Sequence, residues 1–227
     1  MKSVVRSSHI LVALALVACA GESNSPRMEA ELRLLHASSN LGALDLNVGD
    51  RTLISSVPFG SASPVTRVPA GLQHLTVTVN KAIIGELDVE LSTEHVNAVV
   101  VAAGVPQFST DVVPDTGAAI ANRANFRLVN VATSNTTPPT HLTVLLNFPD
   151  VSADSVARFG GYDATVARYW SLMYFDPGHF RIWYVPEGAI TTVLAQAEFD
   201  IAAGEKKAAI LERGSDGVYR VQIVVEP

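Results

Sequence analysis

Charge is scarce in this chain and cysteine is almost missing. Of 227 residues only 17% are charged, against 48% hydrophobic, and the formal net charge is −6. A chain this apolar can bury a core, which excludes a disordered polymer. Net acidity and 16 Lys and Arg residues that form no basic run argue against nucleic acid as a partner, because the phosphates call for clustered cations. One cysteine excludes both a disulfide framework and a cysteine-rich metal site. No glycine-rich phosphate loop follows a strand and opens a helix, so nucleotide binding has no support. Beyond the N-terminal segment there is no amphipathic helical stretch and no apolar run of the roughly 20 residues that a spanning helix needs.

What is present begins at the N-terminus. Lys2 and Arg6 precede the apolar stretch Ile10 to Val17, and no charge returns until Glu22. That stretch is too short for a bilayer and fits the apolar region of an export signal. It closes on Leu16-Val17-Ala18-Cys19, which resembles the lipobox of bacterial lipoproteins. In that family the cysteine receives a diacylglyceryl group, the signal is cut before it, and the new amine is acylated. The resemblance therefore implies a signal peptide over residues 1–18, lipidation at Cys19, and a membrane reached through that anchor. Losing Lys2 and Arg6 takes the net charge from −6 to −8. Acyl chains, at about 0.8 kcal/mol per buried CH₂, would then hold the protein, and basic attraction to lipid would not. By resemblance to the sorting rule of Gram-negative bacteria, Ala20 in place of aspartate after the cysteine implies the outer membrane. Residues 19–30, with Gly21, Ser23, Asn24, Ser25 and Pro26, read as a flexible tether.

The rest alternates with a period of two. Leu44, Leu46 and Val48 alternate with Asp45 and Asn47; Leu75, Val77 and Val79 with His74, Thr76 and Thr78; Leu87, Val89 and Leu91 with Asp88 and Glu90. Ala197, Phe199 and Ile201 alternate with Glu198 and Asp200, and Val221, Ile223 and Val225 face away from Arg220, Gln222 and Glu226. Such strands bury one face and wet the other, as antiparallel sheets do. Turn chemistry separates them at Gly49-Asp50, Pro69-Ala70-Gly71, Asp176-Pro177-Gly178 and Gly214-Ser215-Asp216-Gly217. The expected fold is all-β, built of antiparallel β-sandwiches.

The pattern occurs twice. Arg33-Leu34-Leu35-His36-Ala37 is answered 94 positions later by Arg127-Leu128-Val129-Asn130-Val131, and Phe59-Gly60 is answered 100 positions later by Phe159-Gly160. The stretch Pro69 to Val77 is answered at an offset of 107, and Leu91 to Gly104 at 110. An offset that grows in one direction, with insertions between strands, is what duplication followed by loop extension produces. The expected organisation is a first β-sandwich domain over 31–113, a linker over 114–124 and a second over 125–227.

Arg33 to Ser38, then Ala43 to Val48, then the Pro-Ala-Gly turn before a strand, resemble the bacterial family known as domain of unknown function 4397. That resemblance implies export, tandem copies and immunoglobulin- or transthyretin-like sandwiches. It implies no activity and no cofactor. The second copy departs from the pattern, with Asn130 where His36 stands and Thr143 near the place of Asp45.

Candidate chemistry is thin. No serine lies in a Gly-x-Ser-x-Gly elbow, and the mature chain's histidines (36, 74, 95, 141 and 179) are scattered. His36 beside Asp45 would be the pair for an envelope hydrolase or metal-dependent enzyme; the competing reading has His36 tying strands together, as Asn130 could in the other copy. Zinc finds no histidine pair at i, i+2 or i, i+4. Asp45-Leu46-Asn47-Val48-Gly49-Asp50 fails as a calcium loop, because Ser56 stands where a bidentate glutamate is needed. Aromatics are the one asymmetry: of fifteen, only Phe59 and Phe108 precede Phe126. Tyr169, Trp170, Tyr174 and Trp183 are the candidate contacts for a glycan or protein partner, since exposed aromatic rings stack on sugars or anchor proteins. The competing reading is a second core filled with larger side chains. The expected function is therefore a non-catalytic, lipid-anchored envelope module.

Overall fold

The computed structural model describes residues 28–110, 120, 122–132, 142–147, 173–186, 188–189, 191–214 and 216–227, and of residues 107–110 and 143 the backbone alone. The first half contains β1 (Glu29–His36), β2 (Leu44–Val48), β3 (Arg51–Val57), β4 (Thr66–Pro69), β5 (Gly71–Val79), β6 (Ala82–Leu91), β7 (Val96–Ala102) and β8 (Val105–Thr110). The second contains β9 (Ala124–Asn130), β10 (Leu142–Asn147), β11 (Met173–Phe175), β12 (Gly178–Pro186), β13 (Ala195–Ile201), β14 (Lys206–Arg213) and β15 (Tyr219–Glu226). Among the described residues there is no helix, and so none that could cross a membrane. The all-β expectation holds.

The described strands form four sheets. The first half has an outer sheet, β3-β2-β5-β6, and an inner one, β4-β1-β7-β8. The second has an outer sheet, β10-β12-β13, and an inner one, β11-β9-β14-β15. The strand order repeats, except that the described residues of the second half hold no counterpart of β3. Registers repeat too. Gly71 stands opposite Leu91 and Gly178 opposite Ile201, while His36 stands opposite Val101 and Asn130 opposite Leu211. These pairs reproduce the sequence offsets of 107, 110 and 94. One expectation is refined: β1 pairs with β7, and β9 with β14, in parallel. The chain passes through the outer sheet between the two members of each pair, and such a crossover is what a parallel pair requires.

Apolar side chains fill three layers. Leu32, Leu34, Leu46, Val77 and Val99 meet between the first two sheets, and Phe126, Leu128, Ile182, Phe199 and Leu211 between the last two. A third layer joins the halves: Leu35, Ala37, Ala98 and Val100 pack against Val129, Val131, Ala208, Ile210 and Val224. Each fully buried Val, Leu, Ile or Phe side chain among these contributes about 1.5–3 kcal/mol relative to exposure. Consecutive residues of β1, β7, β9 and β14 thus point alternately into two cores, and β7 and β9 are buried at every position. At the far edge of the first half, β6 closes against β8. A Cβ on Gly85 would lie 2.4 Å from Pro106 Cγ, so no larger residue fits there without displacing that ring.

The last strand departs from the sequence reading. Glu226, expected on a wet face, is buried, and Val225, expected in the core, is exposed. The alternation is intact, but the face read as wet covers the seam between the halves. There Arg33 Nη1 donates to Glu226 Oε2 at 3.0 Å, and Arg127 Nε lies 3.2 Å from Glu226 Oε1. All three side chains are almost wholly buried.

Candidate functional site

His36 and Asp45 do not come together. His36 ends β1 with its ring fully buried. Its Nε2 donates to the Gly42 carbonyl at 3.0 Å, and its Nδ1 accepts from the Ser38 amide at 3.2 Å. Donating at Nε2 and accepting at Nδ1 is the pattern of one neutral tautomer. Burial pushes its pKa below 6.5, against the opposing pull of the Gly42 carbonyl. Asp45 instead accepts from the Ser56 amide at 2.7 Å, within the hairpin of β2 and β3. In the second half Asn130 Oδ1 accepts from the Ala132 amide at 3.0 Å, the same bond two residues ahead that His36 makes. Asn130 and His36 thus share one local structural task, closing the turn after a buried strand.

The remaining metal candidates dissolve into strand chemistry. Asp45 to Val48 lie in β2, where Asn47 accepts from the Thr52 hydroxyl at 2.7 Å, and Gly49-Asp50 is a hairpin turn. Among the described residues no three His, Cys, Asp or Glu side chains converge as metal ligands.

Acidic side chains of the outer strands lie on exposed faces. On β5 and β6, His74 Nδ1 meets Asp88 at 2.7 Å with Glu86 3.8 Å from the other nitrogen, and the hydrogen bond to Asp88 raises the His74 pKa above 6.5. On β12 and β13, His179 meets Asp200 at 2.8 Å, and Arg181 Nε donates to Glu198 at 2.7 Å, holding that carboxyl below its ordinary range. Exposed pairs of this kind contribute little to stability.

The aromatic candidates divide. Tyr169 and Trp170 lie outside the described residues, as does Cys19. Trp183 does point away from Ile182 and Tyr184, as the alternation requires, yet it is only 2% exposed, with the Arg181 guanidinium 5.7 Å from its ring. Its ring is no open contact surface, which corrects the reading of Trp183 as an exposed aromatic. Most described aromatics of the second half build its core: Phe126 stacks on Phe199 at 4.6 Å, and Phe175 meets Phe180 edge-on at 4.8 Å.

Tyr174 is different. It lies on β11, paired with Asn125 of β9, and is 42% exposed. Alternation along so short a strand turns it outward between Met173 and Phe175, which pack on the core. It stands at the rim of a cleft of about 580 Å³ between the second pair of sheets, floored by Leu128, Val144 and Phe180. Asp176, also on the rim, is ion-paired with Arg123 at 2.7 Å. An exposed ring beside an apolar floor and an exposed carboxylate–guanidinium pair can present both a stacking surface and hydrogen-bonding groups.

Residues 30–137 match the family described as Domain of unknown function (DUF4397), so the resemblance read from Arg33 to Val48 and the Pro-Ala-Gly turn holds over that stretch. The match runs on past the first eight strands and through β9. No curated protein matches the chain. Similar solved structures include the CBM26-family module CBMbc of Eubacterium rectale Amy13K in complex with maltoheptaose, at 11% identity and a TM-score of 0.30, covering 87% of this chain and 96% of that one. Another concerns α-glucan binding by a streptococcal virulence factor, at 13% identity and a TM-score of 0.27, covering 81% and 92%. A third is the Bacillus anthracis TIE protein, at 9% identity and a TM-score of 0.25, covering 86% and 34%. Scores this low carry no argument about the fold or the function of this chain.

Proposed function

We propose that this chain is a lipid-anchored, non-catalytic binding module of the cell envelope, whose two tandem β-units present a surface to a glycan or protein partner. The lipobox-like Leu16-Val17-Ala18-Cys19, closing a short apolar run with the chain's only cysteine, supports the anchor at Cys19, and Ala20 supports the outer membrane. The repeated strand order and registers support two copies over about 31–113 and 125–227. Enzymatic use of His36 and Asp45 has nothing to recommend it, since both ring nitrogens are engaged and the carboxylate lies elsewhere.

One observation carries the binding reading: Tyr174 is exposed at the rim of an apolar cleft, beside the Arg123–Asp176 pair. Tyr169 and Trp170 stay in the proposal as candidate contacts on their sequence alone; Trp183 does not. The test is co-sedimentation of the full chain with insoluble polysaccharides and with envelope fractions. Tyr174→Ala should weaken whatever association is found by about tenfold or more, with the melting temperature unchanged. Equal binding by both proteins would refute the surface. In the same cells Cys19→Ala should move the protein out of the detergent phase, and unchanged partitioning would refute the anchor.

A further inference from the structure

Arg33 and Arg127 occupy equivalent places in the two repeats, each on a strand buried on both faces. An arginine there needs an anionic partner, because an uncompensated buried charge is costly. One carboxylate, Glu226, one residue from the C-terminus, serves both. The same strand also makes backbone contact with the first half. Val225 donates its amide to the Gly60 carbonyl at 2.9 Å and accepts from the Ala62 amide at 2.8 Å. The segment carrying Gly60 and Ala62 is hydrogen-bonded on its other side to β1, through His36 and Leu34. At the far end of β14, Glu212 accepts from the Ala103 amide at 2.5 Å. The third apolar layer lies between these two sets of bonds.

We infer that β15 is a clasp: by sharing Glu226 between Arg33 and Arg127 and extending the backbone ladder to Gly60 and Ala62, it makes the two halves one cooperative folding unit with a fixed mutual orientation. This stands on observations separate from the cleft at Tyr174 and survives if no partner is found there.

Of the two tryptophans, Trp183 is buried on β12 in the second half, so in a Trp170→Phe background tryptophan fluorescence reports on that half, while far-ultraviolet circular dichroism reports on both. The full chain is unfolded by heat with both probes, alone and with Leu46→Ala, a cavity in the first core. In a clasped protein the two probes give one midpoint, and Leu46→Ala lowers both by the same amount, about 5–15 °C. A tryptophan midpoint that ignores Leu46→Ala would overturn the inference. Repeating the pair in a Glu226→Ala background should make the tryptophan signal less responsive to Leu46→Ala. An undiminished response would show that Glu226 is not the clasp. Should Glu226→Ala fail to fold, Glu226→Gln, of the same shape and without the charge, carries the same comparison.

Discussion

The inner and outer sheets of this protein use the same residues in opposite ways. In the outer sheets charge sits on one face and faces water: His74, Glu86 and Asp88 on one, His179, Arg181, Glu198 and Asp200 on the other. In the inner sheets the central strands are dry on both faces, and Arg33 and Arg127 on them meet Glu226 of β15 in a buried ionic cluster between the halves. A carboxylate on β13 is a solubilising group and one on β15 is a structural bolt, although the sequence around each alternates alike. What separates them is whether a second sheet lies over that face.

The comparison can be broken by substitution. The largest effect belongs to Glu226→Ala, which leaves two buried guanidiniums without their shared carboxylate. It should cost about 3–5 kcal/mol in urea unfolding, whereas Glu198→Ala on the outer face should leave the urea midpoint where it is. A Glu226 variant as stable as the Glu198 variant would erase the distinction. Histidines sharpen it with opposite signs. His36 is neutral in its buried niche and its folded pKa lies below 6.5, so its contribution is complete above pH 6.5 and is lost as the pH falls through the lowered folded value. His36→Asn, which mimics Asn130, should therefore flatten the acid limb of the stability–pH profile, and an unaltered limb would contradict this. The smallest effect is that of His74, whose folded pKa is raised. Its contribution is complete below pH 6.5 and fades as the pH rises through the raised value, so His74→Gln should remove a slight loss of stability as the pH climbs above 6.5.

The outer strands could be read from sequence because each obeys a one-face rule: Leu75, Val77 and Val79 against His74 and Thr76, or Phe199 and Ile201 against Glu198 and Asp200. The inner strands hid their environment. The unbroken run Ala98 to Ala102 and the stretch Ala208 to Leu211 are apolar on both faces, and that signals a strand covered on both sides. Glu226 went unrecognised because alternation gives the side on which a residue lies but cannot say whether that side is wet. The available hint was electrostatic: two arginines at matching places within apolar strands require a buried anion, and Glu226 is the acid that answers. Of the candidate contacts, Trp183 lies on the face that alternation along β12 gives it but is buried, since its burial depends on long-range cover and not on its neighbours in sequence.

Native-state hydrogen exchange of the full chain tests the joining of the inner sheets most directly. Amides of Leu34 and Leu35, Val99 to Val101, Leu128 and Val129, and Ala209 and Ile210 should exchange only with complete unfolding, at one common free energy in both halves, while amides of β6 and β13 open more readily. Two distinct limiting free energies, one for the strands of each half, would contradict the account.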